Sequence, residues 1–183
     1  LREPPVKSWA LANHIEVFQP SHLDQTALDS IAHIHPDFSL VASYGKIIPP
    51  NIILAPKLGS FNIHPSLLPK YRGPSPIQSQ IMSGEKDVGV SVIQMDEKVD
   101  HGNVVGQFAL NGYEPGTKSF EELGELLFKK GVMLLLKFLS NPDASRTPQV
   151  ESEATFTHKF ESDDGQITLD SHKEAWLKYL ALH

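Results

Sequence analysis

Short apolar and β-branched runs alternate with stretches of helical period along the first half of the chain, the pattern of a sheet covered by helices. Val17-Phe18 closes a short strand, Asp24 to His33 reads as a helix with Leu28, Ile31 and Ala32 on one face, and Phe38 to Ser43 is a compact buried strand. Pro49 and Pro50 stop it. Ser60 to Ile63 is the next strand, followed by a loop, Pro65 to Pro74, too rich in proline for either regular structure. Pro76 can open a helix over Ile77 to Met82 that Ser83-Gly84 closes. Val88 to Met95 then sets Val88, Val90 and Val92 against Gly89, Ser91 and Ile93, and Val104 to Leu110 is a further strand. Ser119 starts a long helix with Glu121 and Glu122 in its first turn and Lys137 near its end, as the helix dipole prefers. Its apolar positions are Leu123, Leu126, Leu127, Met133, Leu134 and Leu135. The expected class is α/β.

Asn141 to Ser152, rich in Pro, Ser, Asp and Thr, reads as a linker or surface loop, and Asp163-Asp164-Gly165 is a turn signal between two short extended runs. The expected division is residues 1–150 as the main domain and 151–183 as a linker and the start of a C-terminal region. Composition changes this picture little: 40% hydrophobic and 21% charged residues over 183 positions are values of an ordinary water-soluble domain. No apolar run reaches the roughly 18 to 20 residues that cross a bilayer, and Leu1 to Pro20 carries charges and prolines where a signal peptide has an apolar core. A cytoplasmic monomer with no membrane partner is therefore expected. The absence of cysteine excludes disulfides, thiolate nucleophiles and Cys-based metal sites. A net charge of -6 argues against a surface that is one continuous phosphate-binding patch.

Asn62 and His64 are two apart on an expected strand, so their side chains leave one face near its end. An amide NH2 and an imidazole aimed at one point can stabilise an oxyanion, and His can move a proton at neutral pH. An isolated Asn-x-His is more often a capping Asn and a hydrogen-bonded His. Here, however, Ser66-Leu67-Leu68-Pro69 and Tyr71-Arg72-Gly73 follow at once, and Gln94 to Gly102 comes at the end of the second long strand. Ligands of open α/β sheets bind beyond strand carboxyl ends, where both segments stand. Asp100 would orient His64 or stabilise its imidazolium, and Gly102 lets the backbone turn. Ser43-Tyr44-Gly45-Lys46 matches the S-x-x-K pattern of serine acyl enzymes but ends a strand, without the companion motifs. His33 and His35 lack a third ligand, so no metal is expected. Neither G-x-G-x-x-G nor a P-loop occurs.

Asn62-Ile63-His64-Pro65-Ser66-Leu67-Leu68-Pro69 with Asp100 downstream resembles the signature of the 10-formyltetrahydrofolate-dependent formyltransferases. Lys70 to Gln78 and Gly89 to Asp96 look most like the members that formylate methionyl-tRNA, and the resemblance runs from about Pro5 to Gly165. It implies a Rossmann-like fold, mostly parallel, with helices on both faces, and an N-terminal strand, helix and strand missing ahead of Leu1. It also implies Asn62, His64 and Asp100 as the catalytic residues of formyl transfer from 10-formyltetrahydrofolate to the amino group of initiator methionyl-tRNA. By the same resemblance Val41, Tyr44, Gly45, Ile47, Ile48 and Pro49 line the folate pocket with Ser66, Leu67, Leu68 and Pro69, and the backbone of Asp96, Glu97, Lys98 and Val99 bonds the pterin. His101 stands where a Thr is expected, and Gln166 to Leu169 departs from the family's pattern. A sugar-nucleotide amine, glycinamide ribonucleotide or water are the competing acceptors, since each uses the same three residues.

Overall fold

The computed structural model describes residues 3–167 and 171–183; Leu1 and the Thr168-Leu169 end of the divergent segment lie outside the described residues. Helices α1 (Pro5–Ala12) and α2 (Gln25–His33) precede strand β1 (Ser39–Val41), helix α3 (Pro50–Ile53) and strand β2 (Ser60–His64). Helix α4 (Pro76–Met82), strands β3 (Gly89–Gln94) and β4 (Asn103–Ala109), and helices α5 (Phe120–Leu139) and α6 (His172–Leu182) follow. No described helix is long and apolar enough to cross a membrane.

The strands form one sheet in the order β1-β2-β3-β4. The β1–β2 pairing is parallel, whereas β2–β3 and β3–β4 are antiparallel. The α/β class stands, but the sheet among the described residues is mixed where a mostly parallel one was expected. Residues 95–102 are all that joins β3 to β4, too short for the crossover of a dozen or more residues that parallel neighbours need. Helices do occupy both faces. On one side α5 packs along β2, β3 and β4, while on the other Ser60 Oγ donates 2.7 Å to the Ile53 carbonyl, seating short α3 over the start of β2.

Period-2 alternation in β2 sends Phe61 and Ile63 toward α5, and their partners in β3 are Gln94 and Val92. With Val88 and Val90 they meet Leu123, Leu127, Leu135 and Phe138 of α5, Ile77 and Ile81 of α4, and Leu177 and Leu180 of α6. The Phe61 and Phe138 rings stack tilted, 5.4 Å apart. Positions 123, 127, 131 and 135 recur every four residues on the buried face of α5, which leaves Met133, an expected core position, 62% exposed. Gly131 makes this packing possible: a Cβ there would overlap Ile63 Cγ2 and stand 3.2 Å from Val90 Cγ2. Ser119 caps the helix through a reciprocal capping box with Glu122.

Two further expectations change. Val17-Phe18 pairs with no described strand and Phe18 stays 54% exposed. Pro50 opens a helix instead of only stopping a strand, since proline's fixed φ suits a first turn. Residues 172–182 form a helix capped by Ser171 that packs on α4, bringing the end of the chain onto the core of the first part.

Candidate functional site

Strand β2 delivers Asn62 and His64 to the face opposite α5, beside Ile93 and Ser91 of β3. Asp100 arrives from the β3–β4 turn in the left-handed region, at φ 50°. Its carboxylate is shared: Oδ1 accepts 3.0 Å from Asn62 Nδ2, and Oδ2 accepts 2.9 Å from the Gly73 amide. His64 is 4% exposed, with Nδ1 3.6 Å from Asp100 Oδ1. Its Nε2 lies 2.8 Å from the Tyr71 carbonyl. A carbonyl can only accept, so the ring donates from Nε2, and Nδ1 is the nitrogen left to take a proton beside Asp100.

Tyr71 is itself left-handed, at φ 61°, and pinned at both ends. Its amide donates to Thr155 Oγ1 at 2.8 Å, and its hydroxyl donates to Glu85 at 3.0 Å and lies 3.1 Å from Ser83 Oγ. Burial raises the Tyr71 hydroxyl above its ordinary pKa. Burial also pushes the Glu85 carboxyl up, but hydrogen bonds from the Asp87 amide, the Tyr71 hydroxyl and the Lys86 amide outweigh it and hold Glu85 below its ordinary value. Gly73, at φ 110°, is where the loop turns to give its amide to Asp100. At Gly102 any side chain would collide with the Gln94 carbonyl, so the turn carrying Asp100 closes only on glycine.

Asn62, His64 and Asp100 line one cavity of about 500 Å³. The structure brings Val41, Tyr44, Gly45, Ile47, Ile48, Asp96, Glu97, Lys98 and Val99 to its wall, but leaves Pro49, Ser66, Leu67, Leu68 and Pro69 outside it. Of these, Ser66 and Leu68 are occupied internally. Ser66 Oγ donates to the Lys70 carbonyl, the Leu68 amide donates to Ser91 Oγ, and Gln107 Nε2 donates to both the Leu68 carbonyl and Ser91 Oγ. These bonds turn the loop into a rigid support behind His64. Pro49 instead caps α3. Ile53, Gly73, Pro74, Ile77, Gln78, Ile93, Phe120 and Phe128 complete much of the lining. Of these, Ile93 was readable as facing away from Val88, Val90 and Val92, whereas Phe120 and Phe128 arrive by tertiary packing of α5.

The sequence reading named Arg72 only as part of the Tyr71-Arg72-Gly73 run, without a role, and missed Gln149. Arg72 is 2% exposed; its Nε and Nη2 donate to Gln149 Oε1 at 3.1 and 2.9 Å, and its Nη1 donates to both Glu151 oxygens at 3.0 Å. Gln149 Nε2 then donates to the carbonyls of Asp100 and Gly102, at 2.9 and 2.8 Å. Beside them His101 Nδ1 lies 2.6 Å from Asp96 Oδ2. No group of three or more His, Cys, Asp or Glu among the described residues is placed to hold a metal ion.

Residues 2–137 match the family described as "Formyl transferase". Over 171 residues the chain is 36% identical to a methionyl-tRNA formyltransferase of Chloroflexus aurantiacus, covering 91% of this chain and 54% of that one. Over 162 residues it is 40% identical to a methionyl-tRNA formyltransferase of Fervidobacterium nodosum, covering 87% and 50%. The chain thus spans about half the length of the curated relatives it matches. Its fold is shared with a sugar N-formyltransferase from Shewanella (TM-score 0.74, 18% identity, 96% of this chain and 70% of that one). It is shared too with HypX from Aquifex aeolicus in complex with tetrahydrofolic acid (TM-score 0.73, 22% identity, 87% and 28%). With more than two thirds of its length matched, and relatives this similar, the chain belongs to the formyl transferase family.

Proposed function

We propose that the chain is part of an enzyme that transfers a formyl group from 10-formyltetrahydrofolate to the amino group of initiator methionyl-tRNA, with Asn62, His64 and Asp100 at its centre. The observation that carries the reading is the convergence of those three side chains on one cavity, in a chain 36% and 40% identical to two relatives of the named activity. A volume of about 500 Å³ lies within the range of sites for small organic molecules, and the lining has their character. Val41, Ile47, Ile48 and Ile93 offer an apolar wall for a flat ring, and the backbone of Asp96 to Val99 offers donors and acceptors at its edge.

When bound, the folate supplies the formyl carbon that the amine attacks. His64 performs the proton work. With Nε2–H held by the Tyr71 carbonyl, Nδ1 accepts the proton that the amine releases, Asp100 at 3.6 Å stabilises the resulting imidazolium, and the same proton would pass to the folate nitrogen as its bond to the formyl carbon breaks and tetrahydrofolate leaves. Asn62 has one N–H fixed on Asp100. Its other N–H is available for the carbonyl oxygen that gains negative charge, a contribution of typically a few kcal/mol for one such donor.

The test is release of tetrahydrofolate by the full-length protein supplied with 10-formyltetrahydrofolate and, in separate reactions, methionyl-initiator tRNA, a sugar-nucleotide amine, glycinamide ribonucleotide or no acceptor. Turnover that depends on the tRNA is expected. Turnover with another amine would transfer the acceptor assignment while keeping the chemistry, and turnover without any would make the enzyme a hydrolase. His64→Ala should abolish turnover in each case.

A further inference from the structure

We propose that Gln149 is a positioning residue that holds Asp100 in place against Asn62 and His64. Asp100 sits at φ 50°, a conformation that a non-glycine residue keeps only when its surroundings hold it there. Three groups do so. Asn62 and the Gly73 amide hold the carboxylate, and Gln149 Nε2 holds the backbone by donating to the carbonyls of Asp100 and Gly102. Both amide hydrogens of Gln149 are thereby spent on the turn. Its Oε1 is equally committed, since it accepts from two nitrogens of Arg72. Arg72 is buried and follows Tyr71, whose carbonyl fixes the proton on His64. Through Gln149, the loop that orients the imidazole and the turn that carries the carboxylate are locked to one another.

Gln149→Glu separates this donor role from mere packing. The carboxylate keeps the size of the amide and accepts from Arg72 with an added charge, so the Arg72 cluster survives. It can no longer donate to the Asp100 and Gly102 carbonyls, and repels them. The readouts, on the full-length protein, are amide hydrogen exchange at Gly73, whose N–H is bonded to the Asp100 carboxylate, and the kinetics of formyl transfer. Gly73 exchange should quicken by about tenfold or more, with β3 amides unchanged. The kcat should fall by about tenfold or more while KM for the folate stays within about twofold. Glu151→Gln, which leaves both Gln149 donors in place, should lower stability without quickening exchange at Gly73.

Unchanged Gly73 exchange in Gln149→Glu would overturn the proposal, whatever the activity. Quickened exchange with unchanged kcat would overturn it as well, by showing that Asp100 can move without consequence. The catalytic arm rests on the function proposed above. If the wild-type protein transfers no formyl group, that function fails, and Gly73 exchange still decides whether Gln149 places Asp100.

Discussion

Replacing Gly131 by Ala tests how closely α5 is seated on the strand that carries the site. The added methyl would overlap Ile63 Cγ2 and crowd Val90 Cγ2 at 3.2 Å, where carbon atoms at optimal contact stand about 3.5–4.0 Å apart. Ile63 and Val90 are 2% and 0% exposed, and a β-branched methyl has no space into which to rotate, so helix and strand must separate. Overpacking of this kind costs about 1–3 kcal/mol. Against it stands the gain of about 1 kcal/mol from exchanging Gly for Ala inside a helix. The net should be a destabilisation of up to about 2 kcal/mol in urea unfolding, or a Tm lower by up to about 8 °C for a chain of this size. Turnover should fall too, because Asn62 and His64 leave β2 on either side of Ile63, and displacement by about 1 Å can cost a hundredfold in rate. Truncating Ile63 to Ala in the same chain should relieve the clash, so the two losses should sum to more than the double variant shows. A Gly131→Ala protein more stable than the wild type by the full gain of about 1 kcal/mol would refute the close packing of α5 on β2.

Asp100→Asn retains the size and tolerates φ 50°, but its NH2 cannot accept from both Asn62 and the Gly73 amide. It should lose about 1–3 kcal/mol of stability and about 10²–10⁴ in kcat; turnover within about tenfold of wild type would contradict the role given to Asp100. Arg72→Lys replaces a planar fork bonded to both Gln149 and Glu151 with a single ammonium, and should cost about 2 kcal/mol in urea unfolding. An unchanged midpoint would mean that the fork geometry contributes nothing. Glu85 is held below its ordinary value of 4.5 in the folded protein, so its contribution to stability is present above that pH and is lost as the pH falls through the folded value. The wild-type Tm should accordingly drop more steeply below pH 4.5 than that of Glu85→Gln, and parallel curves would count against the Tyr71–Glu85 link.

What could be read from the chain was whatever local chemistry dictates. The alternation of Val88, Val90 and Val92 marked β3, Ser119 and Glu122 marked the start of α5, and the two-residue spacing of Asn62 and His64 put both on one face. The strand directions were not readable, because apolar alternation is the same in parallel and antiparallel pairs, and only the short 95–102 connection hints at the reversal. Ser66 to Pro69 stood beside the signature residues and were expected in the pocket. Hydrogen bonds of Ser66 to Lys70 and of Leu68 to Ser91 and Gln107 turn these two inward, and the last two are long-range pairings that no local pattern encodes. Gln149 was hidden for the opposite reason, since a polar residue in a stretch rich in Pro, Ser and Thr has the composition of a surface loop.

The strained positions tie these parts together. Tyr71 and Asp100 both occupy the left-handed region, at φ 61° and 50°, and each presents one group to His64, a carbonyl to Nε2 and a carboxylate to Nδ1. Neither conformation is favourable alone, and each costs of order 1–3 kcal/mol that surrounding contacts must offset. Beside those from Asn62, Gly73, Ser83 and Glu85, several of the contacts come from one late segment. Thr155 Oγ1 accepts from the Tyr71 amide, the Thr155 carbonyl accepts from the Arg72 amide, the Thr157 amide donates to the Arg72 carbonyl, and Gln149 holds the Asp100 turn. Residues 149–157, beyond β4 and α5, therefore complete the geometry around an imidazole on β2. A chain cut after α5 would keep Asn62, His64 and Asp100 and lose part of what holds two of His64's neighbours in place. Restoring the missing segment as a separate peptide should recover turnover only if it carries Gln149 and Thr155.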